Sequence, residues 1–186
     1  SVLDIGIGNG EIARHCREGA SGTTFFVEGA DISQELLSKH ASLYDHTRAL
    51  NVDAVGWTKE LDRTYDIVVA SELVEHLFRP DIFLRQIQEV LSPGAYLVLS
   101  TPNLLLWSNR IKVLFGKHSY SDAGVFEWGH IHLFSWPFLI RLFSENHLDI
   151  VATHHLMHPK FLNPLHANLP AGLFAFQFIV LLKKES

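Results

Sequence analysis

Val2-Leu3-Asp4-Ile5-Gly6-Ile7-Gly8-Asn9-Gly10 is an apolar run that ends in three alternating glycines, and Glu11-Ile12-Ala13-Arg14-His15-Cys16 follows at once. This order predicts a strand over Val2–Ile7, a tight turn, and a helix over Glu11–Glu18 stopped by Gly19. Glycine allows the sharp turn and lets a ligand approach the backbone with no Cβ in the way. The helix start adds free N–H groups and a partial positive charge. Asp4 adds an acceptor at the same place. Such a site suits a nucleotide-like ligand that also carries polar or cationic groups. A dinucleotide fingerprint needs G-x-G-x-x-G; here the third glycine comes early, at Gly10, and Glu11 takes the last glycine's place. A nicotinamide-dependent dehydrogenase is therefore the weakest reading.

Downstream, strand and helix signals alternate, which predicts an α/β sheet. Thr23–Val27, Arg48–Val52, Tyr65–Ala70 and Ala95–Ser100 read as strands. Ser33 is placed to cap a helix over Gln34–Tyr44. Pro80 and Asp81 open a helix whose Phe83, Ile87, Val90 and Leu91 share one face, and Ser92-Pro93-Gly94 reads as a turn. Leu104–Phe115 reads as helix, Gly116–Gly129 as an inserted loop, and Ser135 with Pro137 starts a helix that runs to Asn146. Leu148–His154 and Phe174–Leu182 close the pattern as strands. The second half is rich in histidine, with His118, His130, His132, His147, His154, His155, His158 and His166.

The chain of 186 residues fits one domain over 1–186, with residues 104–135 as an inserted region. A hydrophobic content of 47% against 19% charged residues marks a folded chain. The net charge of −5 lacks a basic footprint and disfavours nucleic acid as a partner. Cys16 is the single cysteine; its spacing from Ile12 and Ala13 predicts a core position, and its lack of a disulfide partner fits a cytoplasmic, reducing compartment. No apolar run approaches the ~18 residues of a membrane span. Ser1 lies almost inside the first strand, so an N-terminal segment is expected to be missing from this sequence.

In an open parallel sheet, ligands bind beyond the carboxyl ends of the strands at the switch point. Four strand ends here carry suitable residues: the glycine turn, Asp31-Ile32 after the second strand, Asp53-Ala54 after the third, and Ser71-Glu72-Leu73-Val74-Glu75-His76 after the fourth. Asp31 is placed to accept from two ribose hydroxyls, or alternatively to cap the next helix. Asp53 is placed to meet an adenine amino group, or is an ordinary loop acid.

Taken in order, D-x-G-x-G-x-G, G-x-D-I-S, V-D-A, Y-D-I-V-V-A-S-E-x-x-E-H, L-S-P-G and S-T-P-N resemble the class I S-adenosylmethionine-dependent methyltransferases, among them relatives of the ubiquinone-biosynthesis O-methyltransferases. The resemblance covers nearly the whole chain. It implies a Rossmann-like, doubly wound sheet of seven strands with the last, Phe174–Leu182, antiparallel. It implies that Asp4, Gly6, Gly8 and Gly10, with Asp31, Ile32, Asp53, Ala54 and Ser71, hold S-adenosylmethionine. Asn9, where a small hydroxyl residue is usual, and Val52, where a glycine often precedes the aspartate, depart from the pattern.

E-x-x-E-H binds a divalent metal in small-RNA terminal-ribose methyltransferases and in some ubiquinone-pathway enzymes. The resemblance therefore implies a candidate metal set of Glu72, Glu75, His76 and His132. Without a metal, His130 or His132 is the candidate general base for an acceptor that must lose a proton. The segment 104–126, with Trp107, Phe115, Tyr120 and Phe126, is placed to shape an acceptor pocket or to serve as a homodimer surface. The expected activity is O-methylation of a small or lipid-like molecule. A metal-dependent terminal-ribose RNA methyltransferase and a non-catalytic cofactor-binding partner subunit are the alternatives.

Overall fold

The computed structural model describes residues 1–19, 25–117, 120, 126–165 and 168–184. One sheet is built from β1 (Val2–Ile5), β2 (Val27–Asp31), β3 (His46–Ala49), β4 (Tyr65–Ser71), β5 (Leu91–Pro102), β6 (Leu148–Thr153), β7 (Leu156–Met157) and β8 (Ala175–Lys184). Seven strands run in the order β3-β2-β1-β4-β5-β8-β6. The strands from β3 across to β5 are parallel, and β8 runs antiparallel to both β5 and β6. The two-residue β7 adds an eighth strand against β8, outside that path. The chain moves outward from β1 in both directions, to β2 on one side and β4 on the other. The carboxyl ends of these strands therefore flank the switch point.

Alternation along β1 sends side chains to two cores. Val2 joins Ala13 of α1 (Glu11–Glu18), Leu37 of α2 (Gln34–His40) and Tyr44. Leu3 and Ile5 join Phe83, Leu84, Ile87 and Val90 of α3 (Pro80–Val90) and, farther across the sheet, Leu139, Leu142 and Phe143 of α5 (Trp136–Glu145). Pro80 stands at the start of α3, where its missing N–H removes a donor that has no helical partner. Two further helices, α4 (Trp107–Leu114) and the short α6 (Ala171–Phe174), are tied together by Arg110 Nη2, which donates to Gly172 O at 3.1 Å.

Several boundaries differ from the sequence reading. β1 stops at Ile5, because Gly6 already has φ +75°. The second strand is Val27–Asp31 rather than Thr23–Val27; residues 20–24 lie outside the described residues. Glu28 and Gly29 look unlike strand interior, yet each has a partner. Glu28 accepts from Tyr65 at 2.7 Å, His46 at 2.9 Å and Arg48 at 3.1 Å. Burial alone would raise its pKa, but these bonds hold it below the ordinary carboxylate value. A Cβ on residue 29 would meet the Tyr44 ring at 2.8 Å.

The third strand is His46–Ala49 instead of Arg48–Val52, and the helix expected to reach Tyr44 turns into a 3₁₀ segment at Ala41–Leu43. Ser92-Pro93-Gly94 sits in a bulge of β5, with Gly94 at φ +82°, so that strand runs from Leu91. Cys16 is half-buried and packs on the edge of the smaller core. His118 and His166, and part of the Gly116–Gly129 loop, lie outside the described residues.

Candidate functional site

The glycine turn takes three left-handed residues in five positions: Gly6 at φ +75°, Gly8 at +48° and Gly10 at +72°. The turn is tied down by Gly6 N donating to Ala30 O at 2.8 Å and Gly10 N donating to Ile7 O at 2.8 Å. Their surroundings differ. A Cβ on Gly10 would lie 2.7 Å from Leu43 Cδ1, so Gly10 serves close packing against the 3₁₀ segment Ala41–Leu43. A Cβ on Gly8 would meet no atom of the described residues within 4 Å, so among them Gly8 borders open space. Among the described residues, no side chain caps the start of α1. Its first N–H groups are thus left for water or a ligand.

A cleft of about 200 Å³ opens at these strand ends. Ile5, Gly6, Asp31, Ile32 and Asp53 line it, together with Asn51, Leu73 and His76. Asp31 Oδ1 accepts from Ser33 N at 2.8 Å, while Ser33 Oγ accepts from Leu36 N at 3.3 Å. Ser33 is therefore the cap of α2, and Asp31 stands on the cleft wall. Asp53 Oδ1 accepts from Phe78 N at 2.9 Å, which fixes its carboxylate against the loop after β4. Ile32 is 73% exposed on the rim. Ala54 is exposed outside the lining, its N–H bonded to Asn51 O. Asp4 is not in the lining either. It is buried beneath the turn and accepts from the Tyr44 hydroxyl at 2.7 Å. Burial raises its pKa to about 6, with Tyr44 opposing and the charge of Asp31 adding to the rise. Asn51 and Leu73 carry no chemical motif, and only their place at strand ends could have signalled them.

Beyond β4 the chain turns at Glu72, a non-glycine residue at φ +49°. Glu72 Oε1 accepts from Ser100 Oγ at 3.0 Å and from Gln177 Nε2 at 2.8 Å. Ser71 Oγ lies 2.9 Å from Ser100 Oγ, at the neighbouring edge of β5. A 3₁₀ turn, Val74–His76, then brings Glu75 inward to 0% exposure. Thr101 Oγ1 donates to Glu75 Oε2 at 3.0 Å, and the buried Oε1 has no hydrogen-bond partner among the described residues. Burial first, then the charge of Glu72, pushes Glu75 up to about 8 against the bonds from its own backbone and Thr101.

The segment before α5 folds back over this turn. Ile131 N and His132 N both donate to Glu75 O, at 2.9 and 3.0 Å. His76 Nδ1 donates to Gly129 O at 2.9 Å, and His132 Nε2 lies 3.3 Å from Phe78 O. The ring of His130 meets that of His76 edge-on at 4.8 Å between centroids. One ligand atom each from Glu75, His76 and His130 fall within 4.8 Å of one another. The structure thus brings Glu75, His76 and His130 together, and it directs Glu72 to Ser100 and Gln177 and His132 to Phe78. Gln177, from the antiparallel strand, had no signal in the sequence. In the inserted region, Trp107 donates to His158 O at 3.2 Å, Tyr120 stacks on Trp128, and Phe115 is exposed.

A family profile described as "Methyltransferase domain" matches residues 1–153. The chain is 32% identical over 120 residues to a mitochondrial ubiquinone biosynthesis O-methyltransferase of Schizosaccharomyces pombe, covering 63% of this chain and 43% of that protein. It is 27% identical over 106 residues to a malonyl-(acyl-carrier protein) O-methyltransferase of Halalkalibacterium halodurans, covering 54% of this chain and 38% of that protein. The chain spans about two fifths of the length of these two relatives. An S-adenosylmethionine-dependent methyltransferase from Clostridium acetobutylicum superposes with a TM-score of 0.69 at 13% identity, over 100% of this chain and 84% of that one, and shows the same fold. With the profile matching residues 1–153 and the sheet order in agreement, the chain belongs to the methyltransferase-domain family.

Proposed function

We propose that this chain transfers the methyl group of S-adenosylmethionine to an oxygen of a small or lipid-like acceptor. One observation carries the reading. Gly6 of the left-handed glycine turn, Asp31 and Asp53 line one cleft at the switch point, where a ribose, an adenine and a sulfonium-bearing chain would each find a partner. Asp31 holds the ribose hydroxyls, Asp53 and its neighbours frame the adenine, and the turn around Gly6 and Gly8 receives the methionine portion. The buried charge of Asp4 lies beneath that portion and complements its cationic groups. The sulfonium is already activated, so most of the rate comes from holding the acceptor oxygen in line with the methyl group. The new C–O bond forms as the S–C bond breaks, S-adenosylhomocysteine departs as the neutral thioether, and the acceptor's proton passes to His130.

His76 lines the cleft and also belongs to the Glu75–His76–His130 group, which supports an acceptor position beside that group. His130 acts there on the acceptor hydroxyl, while His132 positions the loop through Phe78. Oxygen as the methylated atom is supported by the names of the two curated relatives, both O-methyltransferases. A small acceptor, rather than RNA, is supported by the net charge of −5. The test supplies labelled S-adenosylmethionine with hydroxylated aromatic compounds, a lipid extract, or RNA oligonucleotides. Label transferred to a hydroxyl of a small or lipid acceptor is the expected result. Label found in RNA alone would overturn the acceptor assignment.

A further inference from the structure

We infer that His132 is a positioning residue that couples the two halves of the site. Through Phe78 it hangs the loop carrying His130 on the wall of the cleft, so that filling the cleft orders the acceptor side. The inference deepens the proposed function and rests on it for the ligand that fills the cleft.

The bridge is the main chain of one residue. Asp53, on the cleft wall after β3, accepts from Phe78 N at 2.9 Å. Phe78 O lies 3.3 Å from His132 Nε2. A carbonyl only accepts, so His132 carries its hydrogen on Nε2 and donates. The Phe78 side chain is 71% exposed, so backbone bonds, and not burial of its ring, tie it to both neighbours.

The loop depends on such ties. Residues 128–135 form neither helix nor strand, and Trp128, Ile131 and Leu133 are exposed. Ile131 N and His132 N donate to Glu75 O, and His76 Nδ1 donates to Gly129 O, so these bonds fasten the loop to the turn after β4. The His132–Phe78–Asp53 path adds the β3 side of the cleft. A segment with few buried side chains opens locally at low free energy. Leu73, His76 and Leu77 of the same turn line the cleft with Asp53. A ligand lying between Asp53 and this turn immobilises both attachments of the loop at once. The loop then loses less entropy on closing, and by linkage a closed loop tightens the ligand by the same factor. The acceptor therefore meets an assembled His130 loop only after the cofactor is in place.

The experiment combines hydrogen exchange by mass spectrometry with calorimetry on the full chain, using S-adenosylhomocysteine as the ligand. Saturating ligand should slow exchange over residues 128–133 by about fivefold or more. The edge strand β6 should change much less. In His132→Ala the ligand should bring no such slowing, and its affinity should fall by the factor the parent shows, because coupling is reciprocal. A histidine that merely propped the loop would lower protection equally with and without ligand and leave the affinity unchanged. His132→Gln returns an N–H donor at similar reach and should recover both readings. Asp53→Ala, at saturating ligand, should lose the slowing as well. Circular dichroism reports whether each variant keeps its fold, and the Asp53→Ala and His132→Gln results stand on their own if His132→Ala does not. Binding without slowing in the parent, a slowing of β6 as large as that of the loop, or slowing retained in folded His132→Ala or Asp53→Ala would each overturn the inference and leave the proposed function standing. No ligand binding to the folded parent would overturn both.

Discussion

Asp4 lies beneath the glycine turn with 1% of its surface exposed and the Tyr44 hydroxyl as its donor. Its pKa rises from 3.8 in the unfolded reference to about 6 in the fold, first through burial. The folded protein therefore holds this proton more tightly than the unfolded chain does. The group's contribution to stability is complete below about pH 3.8 and is lost as pH rises through about 6. The loss is roughly 3 kcal/mol at neutral pH. Asn keeps an acceptor for Tyr44 and removes the charge. Asp4→Asn should accordingly be more stable than the parent at pH 8, by roughly 2–3 kcal/mol, and nearly equal to it at pH 4. Urea melts at the two pH values measure this. Equal stability at pH 8 would contradict the assignment. The same variant should bind S-adenosylhomocysteine more weakly, since a residue kept against the interest of stability is expected where a site needs its charge.

The strand–turn–helix unit β1–turn–α1 was legible from its glycines, because positive φ is a backbone demand that few other residues meet. Which glycine serves the fold and which the ligand was not legible. That depends on Leu43, brought up by an element 33 residues away. Substitutions separate the two roles. Gly10→Ala meets both left-handed strain and the 2.7 Å clash with Leu43, so it should destabilise by more than about 2 kcal/mol. Gly8→Ala meets the strain alone, so it should stay folded at a cost of roughly 1–2 kcal/mol while losing about tenfold or more in S-adenosylhomocysteine affinity. Thermal melts and calorimetry on both variants test the distinction, and a Gly8→Ala protein with unchanged affinity would contradict it. β2 was misplaced for a related reason. Glu28 and Gly29 break the local pattern, and their partners Tyr65, Arg48 and Tyr44 come from other strands and loops. The E-x-x-E-H turn was legible as a motif. Which of His130 and His132 the fold brings beside Glu75 and His76 was not, because their segment has no helix or strand period. Its direction is set by two backbone bonds to Glu75 O.

At the scale of the whole molecule, the sheet order puts four loops from four different strands around one opening. Alternating β and α signals made an α/β sheet legible in the sequence, while seven strands with the last antiparallel were implied by the family resemblance and not by the alternation. The two-residue β7 escaped, since a pair of residues has no period to read. The net charge of −5 predicts that RNA oligonucleotides at physiological salt show no saturable binding in a filter assay; saturable retention would revive the RNA alternative. The cleft itself makes the most direct claim. Glu11, at the head of α1, opposes a pyrophosphate, whereas Asp31 and the open glycine turn favour an adenosyl ligand with a cationic tail. Isothermal titration of the folded chain with S-adenosylhomocysteine tests this. The expected result is one ligand per chain, binding weakened by about 1.5–3 kcal/mol in Asp31→Ala, and no displacement by a nicotinamide dinucleotide. No heat of binding from folded protein, or competitive displacement by the dinucleotide, would contradict the account.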